Sequence, residues 1–129
     1  MDMKLELVPL PVADVDRAKT FYVERLGFAV DVDRVIAEGV RVVQLTPPGS
    51  ACSIGFGTGM AVYEATPGSI RGLHLLVDDI EASRAELVER GLEIGEIQGG
   101  GGVSYAGFED PDGNGWVLQQ MDWRTGDAY

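Results

Sequence analysis

The hydrophobic pattern of this chain passes through the same change of period twice. Lys4 to Val12 reads as a strand. Asp14 then stands where a side chain accepts backbone N–H bonds at the start of a helix, and Val15, Ala18, Phe21, Tyr22 and Leu26 recur at the three-to-four spacing of a buried helical stripe. Gly27 ends that helix. Phe28 to Arg34, Val40 to Thr46 and Cys52 to Gly57 follow as strands, the last two separated by Pro47-Pro48-Gly49-Ser50, a turn chemistry that a central strand does not tolerate. The order then returns. Leu73 to Val77 is a strand, Asp79 caps a helix with Ile80, Leu87 and Val88 turned inward, and Gly91 stops it. Leu92 to Ile97, Ser104 to Glu109 and Gly115 to Met121 complete the second set of strands, the last two joined by Asp110-Pro111-Asp112-Gly113-Asn114.

The second cycle repeats residues as well as pattern. Val12-Ala13-Asp14-Val15-Asp16-Arg17-Ala18 matches Val77-Asp78-Asp79-Ile80-Glu81-Ala82-Ser83, and Val23-Glu24-Arg25-Leu26-Gly27 matches Val88-Glu89-Arg90-Gly91 with one residue missing. A repeat of this size implies two similar supersecondary modules, each burying a face that it cannot bury alone. The seam falls in the turn-rich Glu64–Ser69, which divides a single domain, 1–129, into module one (4–63) and module two (70–121). Four successive glycines, Gly99 to Gly102, read as a flexible connection with much conformational entropy to lose. With Gly55-Phe56-Gly57-Thr58-Gly59 they are expected to form mobile edges of a cavity. Neither segment has the strand, glycine spacing and following helix of a phosphate-binding loop.

Composition narrows the function. The 129 residues suit one domain. Ten Lys and Arg against 21 Asp and Glu give a formal net charge of −11, which repels polyanions, so nucleic acid and anionic membrane surfaces are poor partners. Cys52 is the single cysteine, so no intramolecular disulfide forms. With neither a secretory signal nor an 18-residue apolar run, the chain reads as cytoplasmic.

Two βαβββ modules, the segment from Pro11 to Tyr22 running to Leu26-Gly27-Phe28, and the closing Asp110-Pro111-Asp112-Gly113-Asn114 together resemble the vicinal oxygen chelate superfamily, over roughly residues 4 to 121. That superfamily contains glyoxalase I, extradiol dioxygenases, fosfomycin-resistance transferases and bleomycin-binding proteins. The resemblance implies an α+β fold in which two modules curl a mixed sheet around a cavity, and a homodimer as the usual assembly. It also implies metal-ligand positions at the start of the first strand and on the last strand of each module. Counted from the two motifs, two of these fall on Leu7 and Val117, and the repeat places their mates at Gly72 and Ser53. Leucine, glycine and valine side chains cannot chelate, and a lone serine is a poor ligand for Zn²⁺, Ni²⁺ or Fe²⁺. The expectation is therefore no metal and no cofactor, which removes the Lewis acid on which glyoxalase, dioxygenase and metal-dependent thiol-transfer chemistry rely.

Several polar residues remain as candidates for contact with a ligand. His74, the single histidine, shares a strand face with 72 and 76, where it could accept or donate a hydrogen bond or act as a general base. The alternative is a histidine bonded to neighbouring backbone or lying at a dimer interface. Gln44 interrupts an apolar strand and needs hydrogen-bond partners, from a ligand or from nearby backbone. Gln119, on the face of Val117, is a better pocket candidate than Gln120. Tyr105, with Leu7, Ser53 and Val117, completes the ligand-binding set; Trp116 alternates with Val117 and is expected to pack beneath the helices. Arg41 and Arg71 could attract an anion but more ordinarily form surface ion pairs. Asp14, Asp79, Asp110 and Asp112 have structural explanations as caps and turn residues, and nothing near Cys52 in sequence would activate it.

The leading expectation is a metal-independent protein that binds a small, partly apolar molecule and sequesters an antibiotic or an aromatic metabolite. Two rivals stand beside it: a metal-free lyase, isomerase or epimerase with His74 as base and Tyr105 as donor, and a dimeric structural or regulatory protein whose cavity is vestigial.

Overall fold

The computed structural model describes residues 1–124; residues 125–129, the end of the polar tail, lie outside the described residues. The elements run β1 (Leu7–Pro9), α1 (Val15–Thr20), β2 (Ala29–Ala37), β3 (Val40–Thr46), β4 (Ser53–Thr58), β5 (Leu73–Leu76), α2 (Ile80–Glu89), β6 (Gln98–Gly100), β7 (Val103–Glu109) and β8 (Gly115–Met121). They form two four-stranded mixed sheets, ordered β1-β4-β3-β2 and β5-β8-β7-β6, so the second repeats the topology of the first. In each, the first strand lies parallel to the last and the remaining pairs are antiparallel. This is an α+β fold of open sheets.

The two helices start in the same way. Asp14 and Asp79 have extended backbones, and each side chain accepts a 3.0 Å bond from an N–H three residues on, that of Arg17 and Ala82 respectively. They are the N-caps that the repeat predicts. α1 does not continue as a regular helix to Leu26 but widens into a π-type turn over Phe21–Arg25. That turn sets the Tyr22 ring 5.5 Å from Phe28, 6.2 Å from Phe56 and 5.7 Å from Trp116.

Further sequence expectations need correction. β1 covers Leu7–Pro9 rather than Lys4 to Val12, because β4 supplies partners only from Ser53 onward and Pro11 has no N–H to pair. In α2, Ile80 is buried and Leu87 packs on the core, but Val88 is exposed; at 3.6 residues per turn it lies about 80° round the helix from the stripe that Ile80 and Leu87 share. Leu92 to Ile97 is not a strand. Leu92 is buried as an isolated anchor, and the carbonyls of Ile94 and Gly95 accept from the Arg84 guanidinium at 3.1 and 2.8 Å. The strand lies further on, in the glycine run. Gly99 pairs with Ser104 and Gly100 with Val103, while Gly101 and Gly102 take φ of 66° and 87°. A type I′ two-residue hairpin loop has positive φ at both central positions, so these glycines form a tight turn between two paired strands. Gly55 and Gly57 likewise lie inside β4, Gly55 paired to β1 and β3 and Gly57 to β3.

The core is continuous between the halves. Leu10, Val15, Ala18, Tyr22, Val43, Leu45, Ile54 and Phe56 from the first cluster with Leu92, Phe108 and Trp116 from the second. A buried polar network runs through this contact. The Tyr22 hydroxyl donates to Asp110 Oδ2 at 2.7 Å and accepts from Trp116 Nε1 at 2.9 Å. Asn114 Nδ2 donates to the same Asp110 oxygen at 2.8 Å and to the Pro11 carbonyl at 2.9 Å. The helix ends clasp each other through repeat-related arginines: Arg25 Nη1 donates to the Arg90 carbonyl, and Arg90 donates to the carbonyls of Val23 and Glu24. Each guanidinium lies over the glycine that ends the opposite helix, Gly91 or Gly27.

Burial first, and then the neighbouring Asp110 carboxylate, push the Tyr22 hydroxyl above the ordinary tyrosine range. The folded pKa is raised, so this contribution to stability is intact below the unfolded-state value near 10 and declines as the pH rises beyond it. Tyr22→Phe, which leaves the buried Trp116 N–H without its acceptor, is expected to lower unfolding free energy by about 1–3 kcal/mol in urea titrations at pH 7. The variant should also lose less stability than the parent above pH ~10. Unchanged stability at both pH values would contradict the role given to this network.

Candidate functional site

Both sheets turn one face to the helices and the core and the other outward. In β8, Trp116 and Leu118 are buried on the helix side, so Val117 and Gln119 point outward between them. In β7, Ala106 and Phe108 face inward while Tyr105, Gly107 and Glu109 face outward. Register then assembles the outer face. His74 pairs with Val117 and Val117 with Gly107; Leu76 pairs with Gln119 and Gln119 with Tyr105. Four sequence candidates, His74, Val117, Gln119 and Tyr105, thus lie in two adjacent rows of one face. Gly72 precedes β5 and has a φ of 81°, so it lies outside the paired rows, at the border of the depression over Val117 and Gly107.

The His74 ring is held by its own strand. Nδ1 lies 2.6 Å from the Gly72 carbonyl oxygen, which can only accept, so Nδ1 carries the hydrogen and the neutral ring keeps its lone pair on Nε2. The backbone alternative for this histidine and an accepting role are therefore compatible. Gln120, the neighbour of Gln119, is on the helix side: its Oε1 accepts the Ile80 N–H at 2.8 Å and so supplements the α2 cap.

The remaining candidates, Leu7, Ser53 and Gln44, lie on the outer face of the first sheet. Leu7 pairs with Ser53 and covers Gly55, where an added Cβ would stand 2.8 Å from Leu7 Cδ1. Ser53 is buried, with Oγ 2.7 Å from Thr46 Oγ1; Thr46 in turn bonds Asp31. Gln44 donates to Glu6 Oε2 at 3.0 Å, a side-chain partner that lies 38 positions away and leaves no local trace in the sequence. Structure thus separates the candidate set into two groups, one on each sheet. The first face is a row of hydrogen-bonding groups, and the second combines apolar surface, glycine and one imidazole.

The family's metal positions do not form a ligand set. Leu7 and Val117 offer hydrocarbon, Gly72 offers no side chain, and Ser53 is engaged with Thr46. Among the described residues no group of three or more His, Cys, Asp or Glu side chains is placed to hold an ion. The arginine candidates are engaged too. Arg41 forks Asp33 at 2.9 and 3.0 Å and reaches Asp16 at 2.8 Å. Those hydrogen bonds raise the Arg41 pKa, and the bonds from Arg41 and Lys19 hold the Asp33 carboxyl well below the usual carboxylate range. Arg71 pairs with Glu109 at 3.2 Å and donates to the Gly113 carbonyl.

Three hollows adjoin these faces. The β3–β4 turn leans toward β5, and a groove of about 400 Å³ between them is bordered by Pro48, Ser50, His74 and Leu76. A smaller apolar hollow of about 210 Å³ runs beneath it between Phe28, Leu75 and Leu87. On the second sheet a shallow depression of about 380 Å³ lies over Gly107, Gly115 and Val117. The approach of Pro47–Ser50 to β5 had no signal in local pattern, because it depends on how the two halves pack.

The chain belongs to the glyoxalase/bleomycin resistance protein/dioxygenase superfamily, whose model matches residues 4–118. Among solved structures it is similar to TnmS3, an antibiotic binding protein from Streptomyces sp. CB03234, with 35% identity, 93% of this chain and 97% of that chain covered, and a TM-score of 0.80. A glyoxalase/bleomycin resistance protein from the same Streptomyces strain is 36% identical, with 92% and 99% covered and a TM-score of 0.72. A superfamily member from Sphaerobacter thermophilus DSM 20745 is 29% identical, with 93% and 98% covered and a TM-score of 0.77. No curated protein matches the chain.

The two glutamines of β8 provide a test of the facing. Gln120→Ala should cost about 1 kcal/mol by removing a helix-start acceptor, while Gln119→Ala should stay within about 0.5 kcal/mol of the parent in chemical unfolding. The reverse order would show the strand facing to be wrong.

Proposed function

We propose that this protein binds a small, partly apolar molecule at the outer sheet faces, without a metal, and sequesters an antibiotic or aromatic metabolite. The observation that carries the reading is the convergence of His74, Val117, Gln119 and Tyr105 on one open face. Apolar surface there supplies affinity, and a few polar groups orient the ligand, the usual division of labour in small-molecule sites. Ser53, Gln44 and Leu7 offer a second, more polar surface on the other sheet. Similarity to an antibiotic binding protein supports the same class of ligand. The absence of chelating side chains at Leu7, Gly72 and Val117 supports metal-independent binding. The protein acts as a homodimer in the cytoplasm in this reading; Val35 and Ile36, exposed on edge strand β2, suit contact with a second copy. Among the described residues no helix is long and apolar enough to cross a membrane.

A metal-free lyase, isomerase or epimerase is the second reading, favoured by the His74 tautomer that leaves Nε2 able to take a proton. It requires that His74→Ala keep substrate affinity while turnover falls by about 10²–10⁴-fold.

The binding reading is tested by following Trp116 and Trp123 fluorescence and melting temperature against a library of aromatic compounds and antibiotics. A saturable response is expected for some members. Ligand at 100 times its Kd should add about 2.7 kcal/mol of stability. No saturable response and no thermal shift across the library would contradict it.

A further inference from the structure

We infer that Gly107 is a ligand-clearance position, and that the notch it leaves beside Val117 seats a flat fused-ring molecule whose edge hydroxyl donates to His74 Nε2. This rests on the small-molecule reading above and names the class of ligand for that face.

The argument begins with a glycine that its own chain does not explain. Three glycines inside strands have internal reasons: a Cβ at Gly55 would press on Leu7, one at Gly57 would run into the Arg41 carbonyl oxygen, and one at Gly99 would meet the Val103 carbonyl oxygen, whereas Gly100, the last residue of β6, stands in open space next to the hairpin turn. Gly107 lies in the middle of β7 with a backbone that L residues readily adopt, since it is not among the positive-φ glycines. An added Cβ there would find its nearest neighbour, the Trp116 carbonyl oxygen, at 3.8 Å, an ordinary contact. Neither conformation nor crowding within the chain calls for glycine, yet a strand-interior glycine costs stability and often marks close approach by another group.

The surroundings define what fits. Gly107 is flanked on its strand by the outward Tyr105 and Glu109, the latter paired to Arg71, which makes walls on either side of a low floor. Across the sheet the same row continues through Val117 to His74. Two strand spacings separate Gly107 from His74, about 10 Å, the length of a two- or three-ring fused system. The floor is peptide plane and a valine, the Phe108 and Trp116 side chains being turned to the core beneath it, so it favours a thin, flat, apolar body over a branched one. At the far end, the Nδ1 bond to Gly72 leaves His74 Nε2 as an acceptor, which selects a ligand donor.

The test uses the full chain with 2-naphthol and 2-methoxynaphthalene, which share a ring system and differ in the donor. By fluorescence titration 2-naphthol should bind about three- to tenfold more tightly, the value of one net hydrogen bond. Gly107→Val should weaken both by about tenfold or more by overfilling the notch. Gly107→Ala should melt at or above the parent temperature yet bind both probes more weakly, which separates clearance from a structural requirement. His74→Phe, which keeps a flat ring and deletes the acceptor, should equalise the two affinities. Failure of either probe to bind, equal binding of the two by the parent, or unchanged affinity in Gly107→Val would overturn the inference. So would a lower melting temperature in Gly107→Ala. Loss of dimer in Gly107→Val with probe affinity intact would assign the notch to a second copy and also overturn it. A library ligand bound equally by parent and Gly107→Val would refute the notch alone, whereas no library ligand bound at all would refute the binding reading beneath it.

Discussion

One buried carboxylate holds the two halves of this molecule together. Asp110 Oδ1 accepts the N–H groups of Asp112 and Asn114, both at 2.9 Å, and Oδ2 accepts the Tyr22 hydroxyl and the Asn114 amide. A buried carboxyl is costly without such donors, and charge-assisted bonds of this length are among the stronger ones. Tyr22 belongs to the first half and Asp110 to the second, so the closing turn of one module is satisfied only when the helix of the other is in place. Asn114 extends the bond to the Pro11 carbonyl and the Ile70 N–H. Asp112 adds the Ala13 N–H and the Arg17 guanidinium. Five side chains, three in a five-residue turn and two on the helical segment of the other half, thereby help to determine how the halves meet.

The consequence for function is geometric. The halves join chiefly through helices, turn and aromatic core, on the side of the sheets opposite the outer faces. The repeat preserved the joining parts: paired N-cap aspartates, paired arginines that reach over the opposite glycine, and matching sheet order. It did not preserve the faces. Ser53, Thr46, Gln44 and Glu6 form hydrogen-bonded pairs on one sheet, while the other exposes Val117, Gly107 and Tyr105 with a single oriented imidazole. A duplicated frame with two differently furnished faces suits a ligand with a polar and an apolar part.

Much of this frame was legible in the sequence because local chemistry decides it. The bounds of β3 and β8, the two aspartate caps and the glycines that end the helices follow from alternation, short oxygen side chains and the φ values open to glycine. What escaped depends on distant partners. The glycine run reads as slack chain until Ser104 and Val103 are found opposite it, and then its positive φ values make a hairpin turn. Leu92 to Ile97 has strand-forming residues, but Arg84 takes its carbonyls. The register that sets His74, and not Gly72, beside Val117 depends on where β5 begins. Choosing Gln119 over Gln120 needed only alternation; finding Glu6 beside Gln44 needed the fold.

The most direct test of the central claim is a crystal structure of protein purified without added metal and soaked with its tightest library ligand, paired with elemental analysis of the same batch. The account predicts ligand density against His74, Val117 and Tyr105, with metal far below one equivalent per chain. A stoichiometric metal beside His74, or a ligand held away from both outer faces, would contradict it.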